Sequence, residues 1–390
     1  MRLRRYTLVA FALLTLPAGA FAQTLLNAGG IGAPIEPLNA RVRGVGGVGP
    51  GRFDAMLLPG EPGAAIDLVV PTITFSMQPV WGAYSIGDSR GDLRATRFPV
   101  VGLSYPLSIN SVVMLTFGGV FDQRWAVTQN SEAVIGGRNV PAEDRFVSDG
   151  GVSALRVGWV QRLTADFGVG VSVGTYTGQV TRTFTRSFDT LAVANPITDF
   201  TEQGRWQFSG PLATVSGVWD PLDVVRVAAT IAWSGDLKAE PVDITKGVAR
   251  TFDMPLQVRI GASGLLRPGL SLHAGFSTAD WSSTGKGFDD VSTTGRATSV
   301  GFGIEWEFAH FWAGPLPLRL GYRRTDLPFR LGEADPVETV FSVGWSFTLA
   351  QLETITLAGF DFAMEFGNRD AGVLSEDFRR LTVTFSLAGG

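Results

Sequence analysis

The segment from Val337 to Leu349 alternates between two kinds of residue, and this alternation predicts a β-strand with two different faces. One face is large and apolar, and the other is small and polar. The first holds Phe341, Val343, Trp345, Phe347 and Leu349, and the second holds Ser342, Gly344, Ser346 and Thr348. Such a strand is typical of a membrane β-barrel, whose outer face meets lipid and whose inner face meets a wet or plugged lumen.

The same alternation recurs in about fourteen segments, the first beginning near Ile66 and the last ending near Leu387. One segment changes parity, because Leu357 is apolar at an odd position whereas Phe360 and the apolar residues after it lie at even positions. A change of parity places the two halves of a strand on opposite faces unless an extra residue is inserted. We therefore predict a β-bulge near Gly359.

The connections between these segments alternate in length. The predicted short connections are 106–110, 164–166, 220–223, 267–269 and 350–351, and the predicted long ones are 87–94, 122–145, 187–203, 238–246, 283–295, 328–336 and 368–376. Outer-membrane barrels have short periplasmic turns and longer external loops. The predicted fold is therefore an all-β, transmembrane antiparallel barrel of about fourteen strands with both termini in the periplasm.

The N-terminal part of the chain lacks this pattern. In residues 1–22, arginines precede the apolar run Leu8–Leu16 and the small-residue pattern Ala20-Phe21-Ala22, which is typical of a secretory signal peptide. Residues 23–64 are rich in Gly and Pro and carry scattered apolar side chains, so they form either a flexible tail or a compact plug inside the barrel. We favour the plug and assign residues 65–390 to the barrel.

Composition agrees with an exported membrane protein. Hydrophobic residues make up 45% of the chain and charged residues 17%, yet no apolar run after residue 22 approaches the ~18 residues that a spanning helix needs. The chain has no Cys, which excludes disulfides and thiolate chemistry. Its net charge is −4, and without residues 1–22 it is 29 basic against 36 acidic residues, or −7, which argues against nucleic acid as a partner.

Catalytic and metal-binding patterns are weak. His273 is predicted to face the lumen on the same face as Ser271 and Ser277, but no nucleophile motif accompanies it, and His310 is predicted to lie in a turn. The acidic clusters Glu143-Asp144, Asp289-Asp290 and Glu333 with Asp335 lack the spacing of a calcium loop. The sequence predicts no enzyme, no cofactor and no metal site.

Charged residues at inward positions are a stronger signal, because a charge on the lipid face near the midplane costs ~2–4 kcal/mol. The predicted inward charges are Arg259, Glu305, Glu307, Arg319, Arg323, Asp361 and Glu365. They form either a ladder of ion pairs that braces the wall and holds the plug, or the lining of a solute path.

Two groups of motifs stand out along the chain. The first holds the Gly-rich segment Arg41–Gly49, the residues Asp54 and Ala55 and the later Pro62 and Gly63, and the second holds the segments 254–261, 279–281, 318–323, 362–367 and 376–381. These motifs resemble the FadL/TodX family of outer-membrane channels for long-chain fatty acids and other hydrophobic compounds, the first group its N-terminal hatch and the second group its strands. The chain departs from the hatch motif at Glu61, where the family has Asn, and at Gly63, where it has Ala.

The resemblance implies passive uptake of an apolar solute across the bacterial outer membrane by a monomer in contact with lipid and lipopolysaccharide. External loops would capture the solute, a pocket beside the hatch would hold it, and a gap made by a kink in the third strand would release it. The residues Gly118 and Gly119 are the candidates for that kink. Two other functions stay open: a general diffusion porin for polar solutes, and a barrel that scaffolds a secretion or assembly complex.

Overall fold

The computed structural model describes residues 25–87, 89–135, 137–188, 198–243, 245–287, 294–311, 314–330, 334–353 and 355–389. The predicted signal peptide, residues 1–22, lies outside the described residues, and so do Asp289-Asp290 and Glu333. Across the part of the chain that is described, no helix has the length and apolarity needed to cross a bilayer.

Strands dominate the described residues. The strands are β1 Ala33–Pro34, β2 Thr72–Ile86, β3 Ser89–Ser108, β4 Ser111–Asp122, β5 Trp125–Ile135, β6 Arg138–Arg162, β7 Phe167–Phe188, β8 Phe200–Leu222, β9 Val225–Ser234, β10 Leu237–Pro241, β11 Arg250–Phe252, β12 Gln257–Arg267, β13 Leu270–Asp280, β14 Arg296–Phe311, β15 Gly314–Asp326, β16 Val337–Leu352, β17 Ile355–Ala371 and β18 Leu374–Ala388. Among the described residues, one short α-helix, α1, spans Ala40–Gly44, and 3-10 helices span Leu25–Ala28, Pro62–Ala65 and Thr284–Gly287.

The strands β2 to β18 form a closed antiparallel barrel of fourteen strands, which confirms the predicted fold class. Seventeen segments make fourteen barrel strands because β4 with β5, β9 with β10 and β11 with β12 are each one barrel strand with an interruption. The barrel closes where β18 pairs with β2, from Leu374 opposite Ile86 to Ala388 opposite Thr72.

Strand β16 shows that the predicted faces are right. Its inward residues Ser342, Ser346 and Thr348 are buried, whereas the side chains of Phe341 and Leu349 on the opposite face are exposed. The bulge predicted near Gly359 is also confirmed, because the β16–β17 register shifts beside the pair that Gly359 makes with Thr348.

Several predicted boundaries are wrong. The predicted long connections 87–94 and 368–376 are short turns, because β2 ends at Ile86 and β3 begins at Ser89, and β17 ends at Ala371 and β18 begins at Leu374. Residues 122–145 are not a long loop: most of them form β5 and the first part of β6, which pair from Trp125 opposite Ser148 to Ile135 opposite Arg138. Polar and apolar residues are mixed on both faces of this hairpin, so it carries no regular alternation for the sequence to reveal. The first barrel strand begins at Thr72 and not near Ile66, which directly follows the 3-10 helix Pro62–Ala65.

Residues 25–71, which we call the N-terminal segment, pack against the inward faces of strands all around the barrel. Helix α1 is capped at its N-terminus by Asn39, whose side chain accepts a hydrogen bond from the backbone amide of Val42. The Ala40 amide donates to Thr384 Oγ1 on β18 at 2.9 Å, and the Gly63 amide donates to Ser216 Oγ on β8 at 2.6 Å.

Glycine makes the closest approach between the N-terminal segment and the wall. Gly46 has a φ of +74°, and a Cβ there would lie 2.5 Å from the backbone oxygen of Tyr322 and 2.6 Å from that of Phe302. Wall glycines contribute equally, since a Cβ on Gly321 would lie 2.1 Å from the Gly46 nitrogen. Only residues without a side chain fit at these contacts.

Candidate functional site

A cavity of about 160 Å³ lies between the N-terminal segment and the barrel wall. Its lining combines residues 33–37 of the segment with inward residues of the strands. The lining residues used below are Glu36, Arg97, Val120, Phe121, Arg156, Tyr176, Leu212, Trp233, Ser234, Arg259, Trp281, Arg323, Glu338, Arg369 and Arg380. This volume is close to that of a dry apolar cavity known to admit benzene, about 150 Å³.

One side of the cavity is apolar and belongs to the largest hydrophobic cluster of the molecule. Phe121, Tyr176, Leu212 and Trp281 are all buried members of this cluster. The rings of Phe121 and Trp281 meet edge to face, with centroids 5.7 Å apart. Aromatic groups packed in this way form rigid walls of the kind that line pockets for small apolar ligands.

The lining of the cavity is also strongly basic, with seven arginines against three carboxylates. Most of the arginines are already paired. Arg323 lies 2.6 Å from Glu36 and 2.8 Å from Glu338, and Arg369 lies 2.8 Å from Glu338. These pairs join the N-terminal segment to β15, β16 and β17.

Arg156 differs from the other arginines of the lining. Its side chain is buried, and neither Nε nor Nη1 has a hydrogen-bond partner. Within the described residues it has no carboxylate partner, and the neighbouring Tyr176 hydroxyl lies 2.6 Å from Ser234 Oγ. A buried cation without a counter-charge is costly, so the surroundings of Arg156 favour an anion.

Most of the predicted inward charges join the wall to the N-terminal segment. Glu305 and Arg319 are paired directly across β14 and β15, and Glu305 also accepts from Arg52 of the segment at 3.0 Å. Asp361 accepts from Arg41 of the segment at 2.9 Å. This arrangement agrees with the bracing role more than with the lining of a wide polar path.

Three further members complete the predicted set. Glu365 accepts a two-point contact from Arg380 at 2.7 and 2.9 Å. Arg259 lines the cavity and donates to the backbone oxygen of Gly60 at 3.4 Å. Glu307 is exposed beside a register shift in β14, and none of the ion pairs among the described residues includes it.

The residues that resemble the hatch motif lie together in the N-terminal segment. Asp54 pairs with Arg52, and Ala55 packs against a buried cluster. Pro62 and Gly63 begin the 3-10 helix that contacts β8.

Glu61, the departure from the family pattern, is buried immediately before this helix. Its Oε2 has no hydrogen-bond partner, and its Oε1 lies 3.8 Å from Arg259 Nη1. Burial raises the pKa of the Glu61 carboxyl to about 7, and the nearby Arg259 offsets only part of this shift.

Gly118 and Gly119 lie where β4 leaves β3. The β3–β4 pairing runs from Ser108 opposite Ser111 to Val101 opposite Phe117 and then ends. Beyond that point β4 stays paired with β6, with a register shift between Gly119 and Phe121.

The two histidines considered as catalytic candidates contact hydroxyl groups or solvent. His273 is buried between two hydroxyls, with Nδ1 2.7 Å from Ser263 Oγ and Nε2 3.0 Å from Ser271 Oγ. His310 is exposed. Over the described ranges, no group of His, Asp and Glu side chains is arranged to hold a metal ion.

Sequence reasoning missed the residues that define the cavity, above all Arg156, Tyr176, Leu212 and Trp233. One signal was available for Arg156, which stands at an inward position between the outward residues Leu155 and Val157. The absence of an acid near it on that face could have marked it as an unpaired inward charge.

Comparison with known proteins places the fold. No family model matches the chain, and no curated protein is similar to it. Three solved structures share its fold over nearly their whole length. They are the toluene transporter TbuX of Ralstonia pickettii (14% identity, TM-score 0.61, 91% of this chain and 99% of that one), the monoaromatic hydrocarbon channel CymD (10%, 0.58, 92% and 98%) and a FadL homologue of Pseudomonas aeruginosa (13%, 0.56, 91% and 98%). The chain therefore has the fold of the FadL/TodX-type channels.

Proposed function

We propose that this protein is an outer-membrane channel for the passive uptake of hydrophobic small molecules, such as aromatic hydrocarbons or long-chain fatty acids. The N-terminal segment acts as its hatch, and residues 1–22 direct its export. Three solved proteins with this fold support the proposal, since they are described as a toluene transporter, a monoaromatic hydrocarbon channel and a FadL homologue.

The observation that carries the proposal is the cavity against the N-terminal segment. A solute there meets the rings of Phe121, Tyr176 and Trp281 on one side. Apolar solutes leave water for such a surface with a gain of about 25 cal/mol per Å² of area buried. A water-filled pore offers no comparable gain.

Arg156 discriminates between two classes of solute, aromatic hydrocarbons and solutes that carry a carboxylate. An aromatic hydrocarbon fits within a cavity of about 160 Å³, but it leaves the Arg156 guanidinium without a partner. A carboxylate-bearing solute supplies that partner while its apolar part lies against Leu212 and Trp233. A long-chain acid also has to extend beyond the cavity.

A diffusion porin is less well supported. The backbone of the N-terminal segment approaches wall glycines of β12, β14 and β15 so closely that a Cβ on Gly261, Gly301 or Gly321 would lie 2.1–2.3 Å from it. Such contacts leave little room for a wide polar path. No observation favours the scaffold function.

Replacing Arg156 by glutamine tests the solute class. We expect the Kd for oleate to rise roughly 10- to 150-fold, because a hydrogen bond to a charged group contributes ~1.5–3 kcal/mol. We expect toluene binding to be unchanged. Both affinities are measured by the quenching of tryptophan fluorescence in the purified protein.

The matched control is Arg205→Gln, since Arg205 is an exposed arginine that pairs with Asp243 outside the cavity. Oleate binding that is unaffected by Arg156→Gln would remove carboxylates as the preferred class. Failure of the parent protein to bind either probe would contradict the proposed function itself.

A further inference from the structure

Two arginines flank a tryptophan on the outer face of the barrel. Arg94 on β3 lies opposite Trp81 on β2, and Trp81 lies opposite Arg379 on β18, so the three side chains share one register row and one face. Both arginines are exposed, and Trp81 is half-buried. Two strand spacings, roughly 10 Å, separate the arginines, so their long side chains can reach one anion that lies over the indole ring.

The wall behind this row is well packed. Each of the three residues directly follows an inward residue of one buried hydrophobic cluster, and these inward residues are Val80, Leu93 and Phe378. The three strands are also joined by continuous antiparallel pairing at this level. The row therefore stands on a rigid surface, and only its own side chains have to rearrange when a ligand binds.

The row lies at the external border of the apolar band. On β18 the outward residues from Leu381 to Leu387 are apolar, and Arg379 is the first charged outward residue beyond them. Phe366, which lies opposite Arg379 on β17, is exposed as well, as expected for the aromatic girdle at a membrane border. Within the described residues, no ion pair includes Arg379. An anion at this depth would supply the missing counter-charge.

Carboxylates lie one step further out. Asp92 on β3 and Asp377 on β18 stand opposite Ala83 of β2 from its two sides, two residues beyond the row of arginines. Since carboxylates repel an anion, an anionic group fits beside the arginines and not above them. The connections 87–88 and 372–373 at this end of the strands are short, so they leave the row open to the headgroups of the outer leaflet.

We propose that Arg94, Trp81 and Arg379 bind a phosphorylated glucosamine unit of lipid A, the membrane anchor of lipopolysaccharide. The phosphate lies between the two guanidinium groups, which suit phosphate because each presents paired N–H donors. The sugar ring lies against the face of Trp81, and the acyl chains run down over the apolar outward residues. This inference goes beyond solute uptake and rests only on the outer-membrane location in the proposed function.

Native mass spectrometry of the purified protein in detergent micelles tests the site. The probes are diphosphorylated lipid A, dephosphorylated lipid A and phosphatidylglycerol, and we expect the first to bind most tightly. Arg94→Gln and Arg379→Gln should each raise the Kd for diphosphorylated lipid A about fivefold, the usual contribution of one arginine beside an anionic lipid surface, and the double variant should raise it about 30-fold. The Kd for dephosphorylated lipid A should not change.

Arg324→Gln is the matched control. Arg324 is also an exposed outward arginine that no ion pair among the described residues includes, but its cross-strand neighbours are Val300 and Thr339, with neither a tryptophan nor a second arginine. This variant removes the same charge from the same face of the barrel. It should leave the Kd for diphosphorylated lipid A unchanged.

Equal Kd values for the parent, Arg94→Gln and Arg379→Gln proteins would overturn the site, provided that the barrels show the heat-dependent gel shift of folded protein. If one of these variants does not fold, the other decides in the same way. An equal loss of affinity in Arg324→Gln would also overturn the site, because it would show diffuse attraction. Phosphatidylglycerol bound as tightly as lipid A would reject lipid A as the ligand.

Binding of toluene and oleate to the same preparations is measured alongside, so that the two proposals are tested separately. Solute binding without binding of lipid A would reject the lipid site and leave the channel. Absence of solute binding would reject the proposed function, whatever the result with lipid A.

Discussion

Replacing Gly46 by valine is expected to open the lumen to ions. The left-handed backbone of Gly46, with φ of +74°, costs a residue with a side chain ~1–2 kcal/mol. Its Cβ would also clash with the backbone oxygens of Tyr322 and Phe302, and overpacking of this kind costs ~1–3 kcal/mol. Together these terms raise the population with an undocked N-terminal segment roughly 30- to 4000-fold. Single-channel recording in planar bilayers should show frequent conducting openings that the parent protein lacks.

The control for this experiment is Gly87→Val. Gly87 also has a positive φ, +55°, but a Cβ there would meet no atom within 4 Å. The control variant therefore carries the same backbone strain without the clash, and it should conduct like the parent.

Deletion of residues 23–64 removes the obstruction altogether and should give permanent conductance. A deletion variant that conducts no more than the parent would show that this segment does not block the lumen.

Replacing Glu61 by glutamine is expected to remove a pH dependence of stability. Burial raises the pKa of Glu61 from its usual 4.5 to about 7, and the neighbouring Glu36 adds to this shift while Arg259 opposes it. In the unfolded chain the carboxyl loses its proton near pH 4.5, whereas in the folded protein it keeps the proton until about pH 7. The folded state thus binds more protons in this interval, so stability falls as the pH rises through it, by at most ~3 kcal/mol.

Urea titrations of the protein in lipid vesicles at several pH values between those two pKa values test this expectation. Glu61→Gln should be more stable than the parent at the upper end of the interval and similar to it at the lower end. Glu132→Gln, which alters an exposed carboxylate in the β5–β6 hairpin, is the control and should keep the pH dependence of the parent. A parent protein and a Glu61→Gln variant with parallel stability curves would mean that Glu61 is ionised throughout.

The strands could be predicted from the sequence wherever they cross the apolar part of the barrel. Lipid on one side and a packed lumen on the other impose strict alternation, as in β16, where Phe341 is exposed and Ser342 is buried. The rule fails where polar and apolar residues are mixed on both faces of a strand. The β5–β6 hairpin is such a case, and its sequence therefore predicts a loop.

The candidate site was harder to predict, because its parts converge from distant positions. The pair of Glu305 with Arg319 could be expected from two neighbouring strands, but the contact of Glu305 with Arg52 joins residues 253 positions apart. Arg156, Tyr176 and Leu212 lie on three different strands and meet only through the barrel's register. The N-terminal segment has no repeating pattern, so its fit against the wall glycines could not be read from its own residues.

Diffraction from crystals soaked in bromotoluene would test most directly whether the cavity holds an apolar solute. Bromine is located by its anomalous signal, independently of any assumption about the ligand's pose. We expect a bromine position inside the cavity, in contact with Tyr176, Leu212 or Trp233, with the N-terminal segment still docked against the wall. Bromine found only on the outer, lipid-facing surface of the barrel at saturating bromotoluene would contradict a channel for hydrophobic solutes.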